Sequence, residues 1–163
     1  AISRYIAKLT NNIPKDDVMA AYADSIFESA HDLFFPLNPT INIFTGDNHI
    51  NNKKKLIEDI LPRAFINFNK LIDKFEGNFF LGERAYYCDY NVFHHLSLAL
   101  LIDENILNNY PKLNKFMIDF ASQNGIKKYL DSRPQLVGIG IQPKVIIDEK
   151  QYATGTNPDY DYQ

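Results

Sequence analysis

The chain has 163 residues, 45% of them hydrophobic and 23% charged, which suits one domain with its own core, or one domain plus an appendage. A net charge of −3 leaves no electrostatic footprint for nucleic acid or an anionic membrane surface. The single cysteine, Cys88, excludes an internal disulfide framework and fits a reducing, cytoplasmic setting.

Residues 1–9 carry Arg4 and Lys8 inside an apolar pattern, so they read as an amphipathic helix rather than a secretory leader. With no initiator Met, the expectation is of a chain that starts late, after a cut or an unseen portion. A second helix is predicted from about Lys15, with Asp16 and Asp17 at its positive end and a stripe of Val18, Ala21, Tyr22, Ser25, Ile26, Ser29 and Leu33. Pro36 and Pro39 predict a bent or partly irregular stretch over 34–44. The clearest stripe runs over 54–76, with Pro62 kinking it or marking its effective first turn, and Gly77 as its stop. Lys53, Lys54 and Lys55 read as the solvated start of that helix.

Residues 77–85 are turn-rich and lead into a helix over 86–102 that is apolar on nearly every side. Such a helix belongs at the centre of a bundle, and its length with Asp89 and two histidines is marginal for a membrane span. After Pro111, Leu113, Phe116, Met117 and Phe120 form a core-facing stripe, and Gly125 separates a last short helix over 126–133. Residues 136–141 and 144–148 have strand-like composition on either side of Pro143, yet no convincing strand pair is legible. The end, 152–163, is polar and turn-rich, of a kind that stays loose unless it docks. The predicted fold is an all-α bundle with an extended C-terminal tail.

His94 and His95 point about 100° apart on a helix and have Leu98 and Ala99 at the next ligand spacings, so no metal site is predicted. Cys88 with His31, His94 or His95 is a formal nucleophile pair, against which a structural cysteine weighs more heavily. Asp24, Glu28 and Asp32 recur every fourth residue on one helix face. They form either a solvated face with mild repulsion or a face awaiting a cation, such as an arginine or a ligand ammonium. Asp89 falls in the first turn of the central helix, where a carboxylate accepts from free N–H groups, a structural cap worth about 0.5–2 kcal/mol.

The order LPRAFINFNKLIDKF, FFLGERAYYCDYNVF and NNYPKLNKFMIDFASQNGIKKYLDSRP resembles the C-terminal helical domain of cytosolic glutathione transferases, most like the sigma, pi, mu and alpha group. AISRYIAKL is similar to the last helix of that family's thioredoxin-like half. The implied division is 1–10 for the end of a thioredoxin-like domain, 15–134 for the helical bundle and 135–163 for a tail. In the family the central helix is entered through Gly, a few residues and Ser/Thr-x-x-Asp. Gly82 and Asp89 match, but Tyr86 stands where the hydroxyl residue belongs, so the reciprocal half of the capping box is expected to be absent.

The resemblance implies that Asp32 reaches across a homodimer toward the glutathione α-amino group. It also implies that Phe34, Phe35, Asn38 and Asn42 border the site for a small hydrophobic electrophile, although Phe34 and Phe35 read equally well as core. Glutathione is the implied co-substrate, with no metal. The implied thiolate-stabilising hydroxyl lies in the thioredoxin-like half, so no catalytic residue is assigned in this chain. The tail could lid the acceptor site or pack elsewhere. The alternative function is a non-enzymatic module for protein assembly or apolar ligand binding.

Overall fold

The computed structural model describes residues 1–155. Eight α-helices are followed by a small sheet: α1 Ile2–Leu9, α2 Asp17–His31, α3 Phe34–Asn42, α4 Gly46–Lys55, α5 Leu61–Ile72, α6 Tyr87–Ile102, α7 Pro111–Ala121 and α8 Asn124–Ser132. A π-helical turn, Leu56–Ile60, joins α4 to α5, and strands β1 Gln135–Val137, β2 Lys144–Ile147 and β3 Lys150–Ala153 close the described chain. No helix among the described residues is long and apolar enough to cross a membrane.

Helix α6 lies at the centre, against α1, α2 and α3 on one side and α7 on the other. Its interior residues include Val92, Leu96 and Ala99, all fully buried, as an all-round apolar helix requires. Tyr90 and Leu101 are exceptions at 41% and 43% exposure. A second layer packs α5 on α7, and Phe80 from the preceding loop fills it, edge-on to Phe68 at 6.2 Å and to Phe116 at 5.1 Å. The expected α7 stripe of Leu113, Phe116, Met117 and Phe120 is buried throughout.

Several local expectations change. The stripe predicted on α2 is rotated in part: Ile26 and Leu33 are buried as expected, but Ala21 and Ser25 face solvent, Val18 is 64% exposed, and Ala23 and Ala30 are buried instead. Small residues at 23 and 30 let α2 approach α6 closely, and packing of that kind overrides a count of apolar positions. The 34–44 stretch is helix as far as Asn42 and irregular only beyond it, because Pro36 sits in the first turn of α3, where its missing N–H costs nothing. Pro39 lies inside α3, and the Thr40 hydroxyl donates to the Pro36 carbonyl at 2.8 Å.

The predicted 54–76 helix is longer at one end and shorter at the other, running from Gly46 to Ile72 through the π turn. Pro62 marks the first turn of α5, immediately after the widened turn whose ladder it cannot continue. The three lysines therefore occupy the last turn of α4, where the helix dipole favours cations, not a helix start. Gly125 falls inside α8 rather than ahead of it.

The largest correction is the tail. Residues 135–153 form an antiparallel sheet of order β1-β2-β3, with Leu136 opposite Val145 and Val145 opposite Tyr152. The all-α description therefore holds for the bundle but not for the tail. Pro143 precedes β2 and so interrupts no ladder. Asp148 and Glu149, at φ of 48° and 64°, make the tight turn into β3. The sheet is tethered to the bundle. The Gly46 N–H donates to the Gly140 carbonyl at 3.1 Å, and Thr154 Oγ1 and the Gly155 N–H both donate to the Asn42 carbonyl, at 2.8 and 3.1 Å. Tyr152 and Ala153 thus belong to β3, while the rest of the predicted loose end beyond 155 lies outside the described residues.

Candidate functional site

The entry to α6 is built around Asp89, which is fully buried. Its Oδ2 accepts from the Tyr86 N–H at 2.8 Å, and its Oδ1 accepts from the Phe80 N–H at 2.9 Å. The carboxylate therefore clamps the 77–85 loop to the helix as well as capping it. The Asp89 N–H donates to the Tyr86 backbone carbonyl at 3.0 Å, so this donor is satisfied although the Tyr86 side chain makes no capping bond. The expected loss of the hydroxyl half of the box is thus met by main chain. The Tyr86 ring instead lies 5.4 Å from the Arg84 guanidinium, which donates to the Asn11 carbonyl at 2.6 Å.

Gly77 has φ 138°, and a Cβ there would fall 2.3 Å from the Gly82 carbonyl carbon, so this crossing requires glycine. Burial pushes the Asp89 carboxyl up to about 6, against the lowering effect of its two N–H donors and Cys88. Cys88 donates to Asp89 Oδ2 at 3.6 Å, and burial followed by the neighbouring carboxylate pushes its thiol far above the ordinary value. A thiol held protonated this way is no nucleophile.

Among the described residues the acidic face of α2 meets a cation at Asp24. Arg4 Nε donates to Asp24 Oδ1 at 3.0 Å, and the Tyr87 hydroxyl donates to the same oxygen, so α1, α2 and α6 join at one carboxylate. Arg4 and Tyr87 were not singled out from sequence, because residues 20 and 63 positions away give no local signal. Asp32 ends α2 in an exposed position. Phe34 is 39% and Phe35 71% exposed, so neither is core. Asn42 Nδ2 donates to Asn38 Oδ1 at 3.0 Å on the next turns of α3. Asp32, Phe34, Phe35, Asn38 and Asn42 are thus brought together along one continuous junction, α2 into α3.

His31 stands in the middle of this junction. Its ring is near-parallel to those of Phe27 and Phe34, at 6.4 and 5.7 Å, and edge-on to His95 at 6.3 Å. The 27, 31, 34 spacing of aromatic rings was the available signal. The His95 Nδ1–H donates to the Asn91 carbonyl at 2.9 Å. Burial holds the His95 imidazole below its ordinary value. His94 and His95 sit 5.1 Å apart with planes at 80°, and no three His, Cys, Asp or Glu side chains gather as a metal site among the described residues.

A helical bundle with a fully buried central helix, entered through a Gly-rich turn clamped by a buried aspartate, defines the class of domain. Residues 31–133, more than half of the chain, match the family described as Glutathione S-transferase, C-terminal domain. The chain belongs to this family. It is 28% identical over 135 residues to Glutathione S-transferase P of Caenorhabditis elegans, covering 82% of this chain and 63% of the relative. It is 29% identical over 137 residues to Glutathione S-transferase of Plasmodium yoelii yoelii, covering 84% and 63%. The Pi-class Glutathione S-transferase of Onchocerca volvulus superposes with a TM-score of 0.73 at 25% identity, over 81% of this chain and 62% of that one. The chain thus spans about three fifths of the length of these relatives.

Proposed function

We propose that this chain is the helical part of a glutathione transferase, a cytoplasmic homodimer that conjugates glutathione to small hydrophobic electrophiles. The α2–α3 junction carries the reading, because it sets an exposed carboxylate, Asp32, two residues before two exposed aromatic rings. In this reading Asp32 accepts from the α-amino group of glutathione in the neighbouring subunit, a charge-assisted bond. Phe34, Phe35 and the Asn38–Asn42 pair border the electrophile, and the tail tethered at the Asn42 carbonyl forms one wall of that border.

The thiolate is stabilised by a hydroxyl of a thioredoxin-like half, the electrostatic part of the catalysis. The described residues contain only the last helix of that half, and none of their side chains is assigned to the thiolate. Helix α1, the end of that half, packs on the rest of it through Ile2, Tyr5, Ile6 and Leu9, which are 52–76% exposed.

The test is glutathione-dependent conjugation of an aryl halide by the protein purified from its source, with intact mass recorded on the same sample. Activity is expected, together with a glutathione KM raised about tenfold by Asp32→Asn and a smaller change in kcat. Absence of conjugation and of glutathione binding, alongside recovery in a stable complex with other proteins, would replace this reading with the assembly module.

A further inference from the structure

On the side of α6 away from α2 and α3, the three helices α6, α7 and α8 leave a cleft of about 140 Å³. Its floor is aromatic: Phe93 is stacked on Phe120 at 4.8 Å, and Tyr90 stands edge-on to Phe120 at 5.0 Å. Tyr129 of α8 forms the opposite wall and is 60% exposed. The rim carries two nitrogen donors, His94 from α6 and Arg133 at the end of α8. Arg133 has no ion pair or hydrogen bond among the described residues, although it is partly buried. The ion pairs of the neighbouring helices, Lys115 with Asp119 and Lys127 with Asp131, are satisfied within those helices. No acidic side chain among the described residues lines the cleft.

We propose that this cleft binds a small aromatic carboxylate, its ring between Tyr90, Phe93, Phe120 and Tyr129 and its carboxylate on Arg133 and His94. The class follows from shape and charge together. The volume admits a single ring rather than a drug-sized molecule. A planar guanidinium without a partner among the described residues is suited to bidentate recognition of a carboxylate. An inorganic anion would meet the donors but leave the aromatic walls uncovered, and a neutral arene would do the reverse.

Desolvation by partial burial, and then the charge of Arg133, holds the His94 imidazole below its ordinary value. A bound carboxylate removes that repulsion and favours the imidazolium, so binding takes up a proton and strengthens as pH falls through the imidazole range. The titratable and charged groups facing His94 are Tyr90 and His95 on α6, and Tyr129 and Arg133 on or beside α8; α7 contributes Phe120.

Calorimetry and NMR with sodium benzoate, methyl benzoate and inorganic phosphate on the intact protein test this. Saturable benzoate binding is expected, with shifts confined to the ring signals of the cleft, Tyr90, Phe93, His94, Phe120 and Tyr129, and with both controls at least about tenfold weaker. Arg133→Gln should weaken benzoate about tenfold or more while leaving the fold, read by circular dichroism, unchanged. Tyr129→Ala should weaken benzoate without altering its pH dependence. Benzoate binding equal in wild type and Arg133→Gln, phosphate binding as tight as benzoate, or no shift at His94 would each overturn the assignment. Conjugation activity is not the readout, so failure here is distinguishable from failure of the transferase reading.

Discussion

Replacing Asp89 by Ala removes the acceptor of two main-chain donors, the Phe80 and Tyr86 N–H groups, at 2.9 and 2.8 Å. Phe80 is fully buried, so water cannot replace the lost acceptor there. Leaving the buried Phe80 donor unsatisfied costs about 1–3 kcal/mol, and losing the part-buried cap at Tyr86 adds about 0.5–2, so the loss is roughly 1.5–5 kcal/mol. This exceeds the 0.5–2 kcal/mol of an ordinary cap, because the carboxylate ties the loop to the helix as well. Against a typical domain stability of about 5–15 kcal/mol the variant should still fold, but with a visibly lower urea midpoint.

The same carboxyl gives a pH signature. Its native value is raised, from 3.8 to about 6, so the folded state binds the proton more tightly than the unfolded chain. That contribution is complete below the unfolded value and is lost as pH rises through about 6. Between pH 5 and pH 7.5 the loss is about 1 kcal/mol. Asp89→Asn cannot titrate, so urea unfolding of wild type and Asn variant at the two pH values isolates this term from the histidines. An Asp89→Ala loss under 1 kcal/mol, or a wild type minus Asn difference independent of pH, would refute the reasoning.

Gly140 has φ +80°, and a Cβ there would lie 2.6 Å from the His49 ring. Gly140→Val should therefore detach the tail, read as faster hydrogen exchange at the Gly46 and Gly155 amides with little change in the α6 amides. Arg4 and Asp24 are about half exposed, so a double-mutant cycle between them should give no more than about 1 kcal/mol and shrink in salt. Phe80→Ala, at a fully buried ring between Phe68 and Phe116, should cost about 3–5 kcal/mol by thermal or urea unfolding. Burial holds His94 and His95 below the ordinary imidazole value, so both should titrate by NMR below pH 6.5, and their contribution to stability should be lost as pH falls through those native values.

Helix identity and centrality were readable wherever the chemistry is local. The apolar circumference of α6 allows only a buried position, the α7 stripe repeats at helical spacing, and Asp16 sits where a cap must, accepting from the Met19 N–H at 2.9 Å. The site residues Asp32, Phe34, Phe35, Asn38 and Asn42 could be named because they follow one another in a short segment. What the sequence could not express was any relation between distant residues. The rotation of α2 depends on how closely Ala23 and Ala30 approach α6. The fate of the acidic face depends on Arg4 and Tyr87 arriving from other helices. The tail's strands carried the right composition but no sign that a hairpin would form across Pro143, or that it would anchor on the Asn42 carbonyl.

The central aspartate divides most clearly. Its place in the first turn of α6 was legible, since dipole and cap chemistry act over a few residues. Its second bond, to Phe80 nine residues earlier, exists only because a glycine-dependent turn folds the loop back over the helix, and that long-range closure raises the cost of removing it.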